Sequence, residues 1–298
     1  MLLAALLISC STSTPRRPDV LPARESVPLT TVNFSGSRYV LPVKIDETPD
    51  ATLMVHGNSR MYLSVIHRVG EALNGAPVPK IEDYGYSSRG KGMLRVKRID
   101  VGGMTFSGER EIPVFDFSED GDTPVEGMLG VPFLLEARAA VDFASDRLLL
   151  GVEERARPED ALLARGYRSV PMAISPGGRA AVESRFPAIG RVLRITPSTV
   201  STALTLHHPL FEGKVPMTRS SERDRSPSGT TTDEFHADSV AFEIAGITMK
   251  SPASFEDLAE YGKISESDLE SYGMLGFDWM KEHQAVLDYA NRRLYFKP

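Results

Sequence analysis

Cysteine is almost absent from this sequence, since Cys10 is its one cysteine in 298 residues. A disulfide within the chain is therefore excluded, and stability must come from strand pairing and apolar packing. The chain also lacks a strong charge of either sign, because its formal net charge is −6 with 25% charged residues. This balance argues against nucleic acid as a partner. Beyond the first ten residues there is no apolar run long enough to span a bilayer.

Motifs of several enzyme classes are missing as well. The sequence contains no Gly-x-Ser-x-Gly elbow, no His-Glu-x-x-His, no phosphate-binding glycine loop and no dinucleotide fingerprint. The adjacent residues His207 and His208 would point their rings in different directions on a strand or helix, and no further ligand stands at metal-binding spacing. We therefore expect neither a metal nor a cofactor.

A duplication is the strongest positive feature of the chain. The block GMLGVPFLLEARAAVDFASDRLLL starts at Gly127, and GMLGFDWMKEHQAVLDYANRRLYF starts at Gly273. Aligned without a gap at an offset of 146 (273 − 127), these 24-residue blocks agree at 10 positions. A repeat of this length is one structural unit used twice, so the sequence predicts two homologous lobes.

Each block predicts the same local structure. The Gly-Met-Leu-Gly element permits close backbone approach, a short amphipathic helix follows, and a β-hairpin closes the block. Asp142 and Asp288 stand in this hairpin between apolar neighbours. We expect their carboxylates to bind the turns at Ser145-Asp146 and Asn291-Arg292 rather than to take part in catalysis.

These blocks resemble the lobe signature of the aspartic-protease superfamily, in its retropepsin-like and pepsin-like forms. The resemblance covers residues 35–150 and 167–298. It implies an all-β, mainly antiparallel protein with short helices, a bilobal acid-protease-like fold and a cleft between the lobes. In the family, each lobe supplies one aspartate of a catalytic pair that shares a proton.

The catalytic aspartates of the family have no counterpart in the alignment. Matching Gly57 and Ser59 to the family's Asp-Thr/Ser-Gly-Ala-Ser turn places Val55 at the first aspartate position. Matching Thr196 to the family's threonine places Ile195 at the second. Because neither side chain can hold a proton, we predict no catalytic residue at these degenerate dyad positions.

Residues next to these positions are candidates for lining the cleft. His56 could act as a base, but no nucleophile or carboxylate is placed by sequence to orient it, so a structural role is favoured. The tyrosines of the segment 83–92 could face a cleft, or could be exposed turn aromatics. The polar segment 218–232 predicts a surface loop where a family flap would form. The candidates are His56, Gly57, Ser59, Tyr84, Tyr86, Thr196 and Ser198.

The N-terminus carries a second signal. Met1 begins an apolar run that ends in Leu7-Ile-Ser-Cys10, which resembles a bacterial lipobox. We predict a signal peptide over residues 1–9, lipidation of Cys10, and a Ser-, Thr- and Pro-rich tether over 10–28. Ser11 is not the aspartate associated with inner-membrane retention, so the resemblance implies an outer-membrane lipoprotein facing the periplasm. An apolar start with an incidental cysteine stays open, since no basic segment precedes the short run.

The remaining chain divides into an N-terminal protease-like lobe over 29–152, a linker helix over 153–166 and a C-terminal lobe over 167–298. A cleft can outlast the loss of chemistry, so the leading hypothesis is a catalytically inactive lipoprotein. Its cleft would bind a peptide or an envelope protein through strand-like contacts. The alternatives are an active aspartic endopeptidase with displaced carboxylates, and a structural envelope scaffold.

Overall fold

The computed structural model describes residues 21–33, 36–78, 92–115, 125–153, 159–175, 178–200, 204–225, 231–259 and 271–298. The predictions made for residues 1–9, Cys10, Tyr84 and Tyr86 lie outside these ranges. Within them, we find no helix with the length and apolar character needed to cross a bilayer.

The N-terminal half is built from short strands and two short helices. In chain order these are Glu25–Pro28 (β1), Thr30–Asn33 (β2), Ser37–Ile45 (β3), Ala51–His56 (β4), Leu63–Ile66 (β5), His67–Asn74 (α1), Met93–Val101 (β6), Met104–Phe115 (β7), Gly127–Gly130 (β8), Val131–Glu136 (α2), Ala140–Asp142 (β9) and Arg147–Leu150 (β10). The helix Glu159–Leu163 (α3) follows inside the segment expected to link the lobes.

The C-terminal half repeats this order with one added strand. It contains Arg168–Pro171 (β11), Ala173–Ile174 (β12), Ala180–Phe186 (β13), a 3-10 turn at Pro187–Ile189, Arg191–Pro197 (β14), Leu204–His207 (β15), His208–Phe211 (α4), Thr218–Arg225 (β16), Thr231–Ile244 (β17), Ile247–Glu256 (β18), Gly273–Leu275 (β19), Phe277–Glu282 (α5), Val286–Asp288 (β20) and Arg293–Phe296 (β21).

Each half closes its strands into a barrel of the same topology. Lobe one has the order β2-β3-β4-β8-β5-β7-β6, and β3 pairs with β6. Lobe two has the order β12-β13-β14-β19-β15-β18-β17-β16, and β13 pairs with β17. In both lobes the strand of the Gly-Met-Leu-Gly element runs parallel to one neighbour and antiparallel to the other. The bilobal, mainly antiparallel all-β fold predicted from the repeat is therefore confirmed.

The first glycine of each repeat is required by close strand packing. A Cβ on Gly127 would lie 2.2 Å from the carbonyl oxygen of Ser64, and one on Gly273 would lie 2.6 Å from that of Thr205. Both oxygens belong to the neighbouring antiparallel strand, β5 or β15, so any side chain would push the two strands apart.

A six-stranded sheet joins the two lobes. Its order is β1-β10-β9-β20-β21-β11, and the central pair β9 and β20 comes from the two hairpins of the repeat. Val141 faces Leu287 in this pair, while Asp142 faces Val286 and Ala140 faces Asp288, so the pairing is symmetric about Val141 and Leu287. The hairpins therefore place the lobes around an approximate twofold axis.

The carboxylates of the two hairpin aspartates bind the adjacent turns, as the sequence predicts. Asp142 accepts hydrogen bonds from the Ala144 amide (2.9 Å) and from the Ser145 hydroxyl. Asp288 accepts from the amide and the side chain of Asn291, at 2.9 and 2.7 Å. Both carboxylates are buried and hold turns, which confirms their structural role.

Two segments differ from their sequence-based description. The sequence predicts a tether that extends to residue 28, but Leu21 is buried and β1 pairs with β10, so residues 21–28 belong to the folded body. The sequence predicts a loop over 218–232, but β16 pairs with β17 over most of this segment. In both cases the backbone N–H and C=O groups form hydrogen bonds with a neighbouring strand, although the polar composition of the segment predicts a loop.

Candidate functional site

The candidate site lies where β4 and β14 end at the boundary between the lobes. His56 is the last residue of β4 and pairs with Gly130 on the parallel strand β8. In lobe two Pro197 pairs with Leu275, and the Ser198 amide donates to the Leu275 carbonyl at 2.9 Å, which sets Ser198 level with Gly276. Because Gly130 and Gly276 occupy the same place in the repeat, His56 and Ser198 are the equivalent residues of the two lobes.

This register corrects the positions derived from sequence. Val55 and Ile195 are both completely buried in the hydrophobic core, so neither side chain faces the cleft. The residue at the end of the strand is His56 in lobe one, one position later than aligned, and Ser198 in lobe two, three positions later. Neither is a carboxylic acid, so the absence of the acid pair holds in the corrected register.

Thr199 connects the two turns across the lobe boundary. Its hydroxyl donates to the Val55 carbonyl at 2.6 Å and accepts from the Gly57 amide at 2.8 Å, and all of these groups are buried. The hydroxyl thus holds the backbone on both sides of His56. Sequence reasoning missed this residue, because only the fold shows which backbone groups of the other lobe lie within reach.

Tyr289, also in lobe two, packs against the same turn, which is possible because Gly57 has no side chain. The Tyr289 hydroxyl occupies the space instead and lies 3.5 Å from the Gly57 carbonyl oxygen. A Cβ on Gly57 would lie only 2.6 Å from that hydroxyl and 3.3 Å from Thr199. Burial raises the pKa of Tyr289, so the phenol stays protonated and can donate.

His56 is neutral at ordinary pH. Burial lowers its pKa to about 4, and the nearby Arg38 cation adds to the effect. Its Nδ1 is buried and has no hydrogen-bond partner among the residues that the structure describes. A buried polar atom without a partner costs about 1–3 kcal/mol, so this nitrogen lowers the stability of the lobe boundary.

The other candidates divide into turn residues and a core residue. The Ser59 amide donates to the His56 carbonyl at 3.0 Å, and the Ser59 hydroxyl accepts from the Met61 amide at 3.2 Å. Ser198 is buried, and its hydroxyl accepts from the Val200 amide at 3.2 Å. Thr196 lies deeper and donates to the Ser271 hydroxyl at 2.8 Å. These hydroxyls hold backbone turns or neighbouring strands.

The two adjacent histidines make separate contacts. The buried His207 uses Nδ1 to accept from the Leu258 amide at 3.2 Å, while His208 stacks on Phe235 with ring centroids 4.3 Å apart. Burial lowers the pKa of His207. In the described ranges no three His, Cys, Asp or Glu side chains are grouped so that they could hold a metal ion.

Comparisons with known proteins found similarity at the level of solved structures. No family model matches the chain, and no curated protein matches it. The chain is similar to an aspartic proteinase from Irpex lacteus, with 12% identity over 91% of this chain and 96% of that one, at a TM-score of 0.47. It is also similar to conglutin gamma, a basic 7S globulin from lupine seeds, with 11% identity over 92% and 94% at a TM-score of 0.45. Basic 7S globulin from soybean has 11% identity over 93% and 95%, at a TM-score of 0.48.

Proposed function

We propose that this protein is a catalytically inactive relative of the aspartic proteases that binds an extended peptide, or a peptide segment of an envelope protein, in the cleft between its lobes. The observation that carries the proposal is the pair His56 and Ser198 at the equivalent strand ends, where the protease reaction needs two carboxylates. A neutral imidazole and a buried hydroxyl cannot share the proton that activates water in that reaction.

The intact lobe junction supports binding rather than loss of function altogether. Thr199 still holds the backbone of the opposite turn, and β9 still pairs with β20. A cleft between two rigid barrels can recognise an extended chain through backbone hydrogen bonds and side-chain pockets without any chemical step.

Among the described residues, Asp278 in the first turn of α5 is a carboxylate that interacts with Arg38. It is a single acid, whereas the protease reaction needs two. In that part of the chain, Arg38 is the one charged side chain that acts on the pKa of His56, and it is a cation. Asp46, the acid nearest in sequence with a defined contact, accepts from the amides of Lys97 and Arg98 at 2.9 and 2.8 Å in the turn between β3 and β4. That turn lies at the opposite end of β4 from His56.

The test is incubation of the purified full chain with a diverse peptide mixture from about pH 3 to pH 7, with mass-spectrometric analysis of both cleavage and capture. We expect capture without cleavage. Cleavage blocked by a statine-type inhibitor would refute inactivity, and absence of both cleavage and capture would favour the scaffold. A matched control is the same experiment in denaturant, where any captured peptide should be released.

We also propose that the protein is a lipoprotein of the bacterial envelope, anchored in the outer membrane and facing the periplasm. The support is the apolar run ending at Cys10 and the polar segment that follows it. Expression in a Gram-negative host with an alkyne fatty acid should label the wild type but not Cys10→Ala. Equal distribution of both proteins between membrane and soluble fractions would contradict the proposal.

A further inference from the structure

The six-stranded sheet that joins the lobes has two faces, and strand alternation assigns its buried residues to one face or the other. Val141 and Leu287, the pair at the twofold axis, belong to the main hydrophobic core of the two barrels. Their neighbours Ala140 and Val286 point the other way and belong to a separate hydrophobic cluster. Tyr289 belongs to the main core, and its hydroxyl reaches the turn after β4. The barrels and the candidate site therefore lie on one face of the sheet, the inner face.

The opposite face of the sheet, the outer face, is covered by two other segments of the chain. Leu21, Leu162 of α3 and Tyr167 are all buried in the cluster that contains Ala140 and Val286. Ala140 comes from lobe one and Val286 from lobe two, so this cluster holds Leu21 close to the twofold axis. The chain that precedes Leu21 therefore joins the folded body near the middle of the outer face.

The segment between Cys10 and Leu21 is short compared with the folded body. Leu21 lies 11 residues after Cys10 (21 − 10), and 11 residues span at most about 40 Å when fully extended. A compact body of 278 residues (298 − 20) has a radius of gyration of roughly 19 Å, equivalent to a sphere roughly 48 Å across. Half the circumference of such a sphere is roughly 75 Å. A lipid at Cys10 therefore cannot reach around the body to the side opposite the outer face.

The surface that covers the outer face has an exposed apolar side chain but no strong charge of one sign. Leu163 of α3 is 41% exposed, although its neighbour Leu162 is completely buried in the outer cluster. The segment 153–166 contains four acidic and three basic residues. Attraction to charged headgroups is therefore weak, and the position of this surface depends on the lipid chain and on where the tether joins the body.

We propose that the anchored protein turns the outer face of its six-stranded sheet towards the membrane and opens its cleft away from the membrane, into the periplasm. Because the sheet closes the lobe boundary on one side, the cleft between the barrels opens on the other side. This inference rests on the proposed lipid anchor at Cys10. It also narrows the proposed peptide binding, because the ligand must be a peptide that approaches from the periplasmic space and not a segment lying in the bilayer.

The experiment uses the full chain, produced in a Gram-negative host and reconstituted into vesicles of phosphatidylethanolamine and phosphatidylglycerol. Cys10 is the one cysteine, and the lipid occupies its thiol, so a cysteine introduced elsewhere can be labelled selectively with a fluorophore. Leu163→Cys places the fluorophore on the outer surface, and Arg165→Cys provides a second exposed position there. Val192→Cys is the matched control, because Val192 is an exposed apolar residue of the lobe-two barrel, next to the core residue Leu193.

Phospholipids that carry a nitroxide on the headgroup quench fluorophores close to the membrane surface. We expect several-fold stronger quenching at residues 163 and 165 than at residue 192, and no quenching of labelled Leu163→Cys when Cys10→Ala is also present. Circular dichroism checks that each variant is folded. Equal quenching at all positions, or stronger quenching at residue 192, overturns the orientation and leaves the lipid anchor in place. If mass spectrometry finds no lipid on the wild type, both the anchor and the orientation are refuted.

Discussion

Replacement of Thr199 by valine tests the junction that defines the site. The change keeps the shape of the side chain but removes the hydroxyl that donates to the Val55 carbonyl and accepts from the Gly57 amide. Both backbone groups are buried, and each would lose its partner from the other lobe. A buried polar group left without a partner costs about 1–3 kcal/mol, so two such groups cost about 2–6 kcal/mol.

A loss of this size is a large share of the 5–15 kcal/mol by which proteins are typically stable. The assay is urea unfolding of wild type and Thr199→Val, monitored by circular dichroism and by fluorescence of Trp279, the chain's one tryptophan, which is buried in lobe two. We expect the midpoint to fall while the slope stays the same if both lobes unfold together. Separate transitions for the two probes would show that the contact couples the lobes.

Two controls make the result specific. Thr199→Ser keeps the hydroxyl and loses a methyl group, which costs about 1 kcal/mol. Thr48→Val removes a hydroxyl that donates to the Ile45 carbonyl at 2.7 Å in a partly exposed turn, where water can replace it. If Thr199→Val stays within about 0.5 kcal/mol of the wild type, the proposed role of the hydroxyl is refuted.

Three further perturbations probe the same region. Gly57→Ala should cost about 1–3 kcal/mol of stability, because its Cβ would clash with the Tyr289 hydroxyl. Adding Tyr289→Phe should relieve part of that cost. If urea unfolding shows that the stability changes of the two substitutions simply add in the double variant, the clash is contradicted. The pKa of His56 in the folded protein lies below that of a histidine in the unfolded chain, so its contribution to stability is complete above about pH 6.5 and falls towards pH 4. Over this range the free energy of unfolding of the wild type should fall by about 3 kcal/mol more than that of His56→Gln. Parallel plots of unfolding free energy against pH would disprove this. Lys281→Met removes the ammonium group that donates to the Phe143 carbonyl (3.0 Å) and to Asp146. Because the side chain is partly exposed, we expect a cost of about 1 kcal/mol in unfolding free energy. A loss above about 3 kcal/mol in the same assay would contradict this expectation.

The repeat made the fold predictable, but the site was predicted less well. The blocks at Gly127 and Gly273 span 24 residues, so a gapless alignment has enough matches to define the hairpin and the roles of Asp142 and Asp288. The turns after β4 and β14 are only a few residues long and differ in sequence, so a shift of one to three residues changes few matches. A short turn therefore carries too little information to set its own register.

The duplication and the all-β bilobal class follow from patterns that span tens of residues, so the sequence alone was enough to predict them. Strand register in the folded protein places His56 and Ser198, and not Val55 and Ile195, at the strand ends. The fold likewise brings the Thr199 hydroxyl to the backbone of the opposite lobe. Strand register and contacts between lobes are set by hydrogen bonds among residues far apart in the chain. Because no short segment of the sequence encodes such bonds, they cannot be read from local patterns.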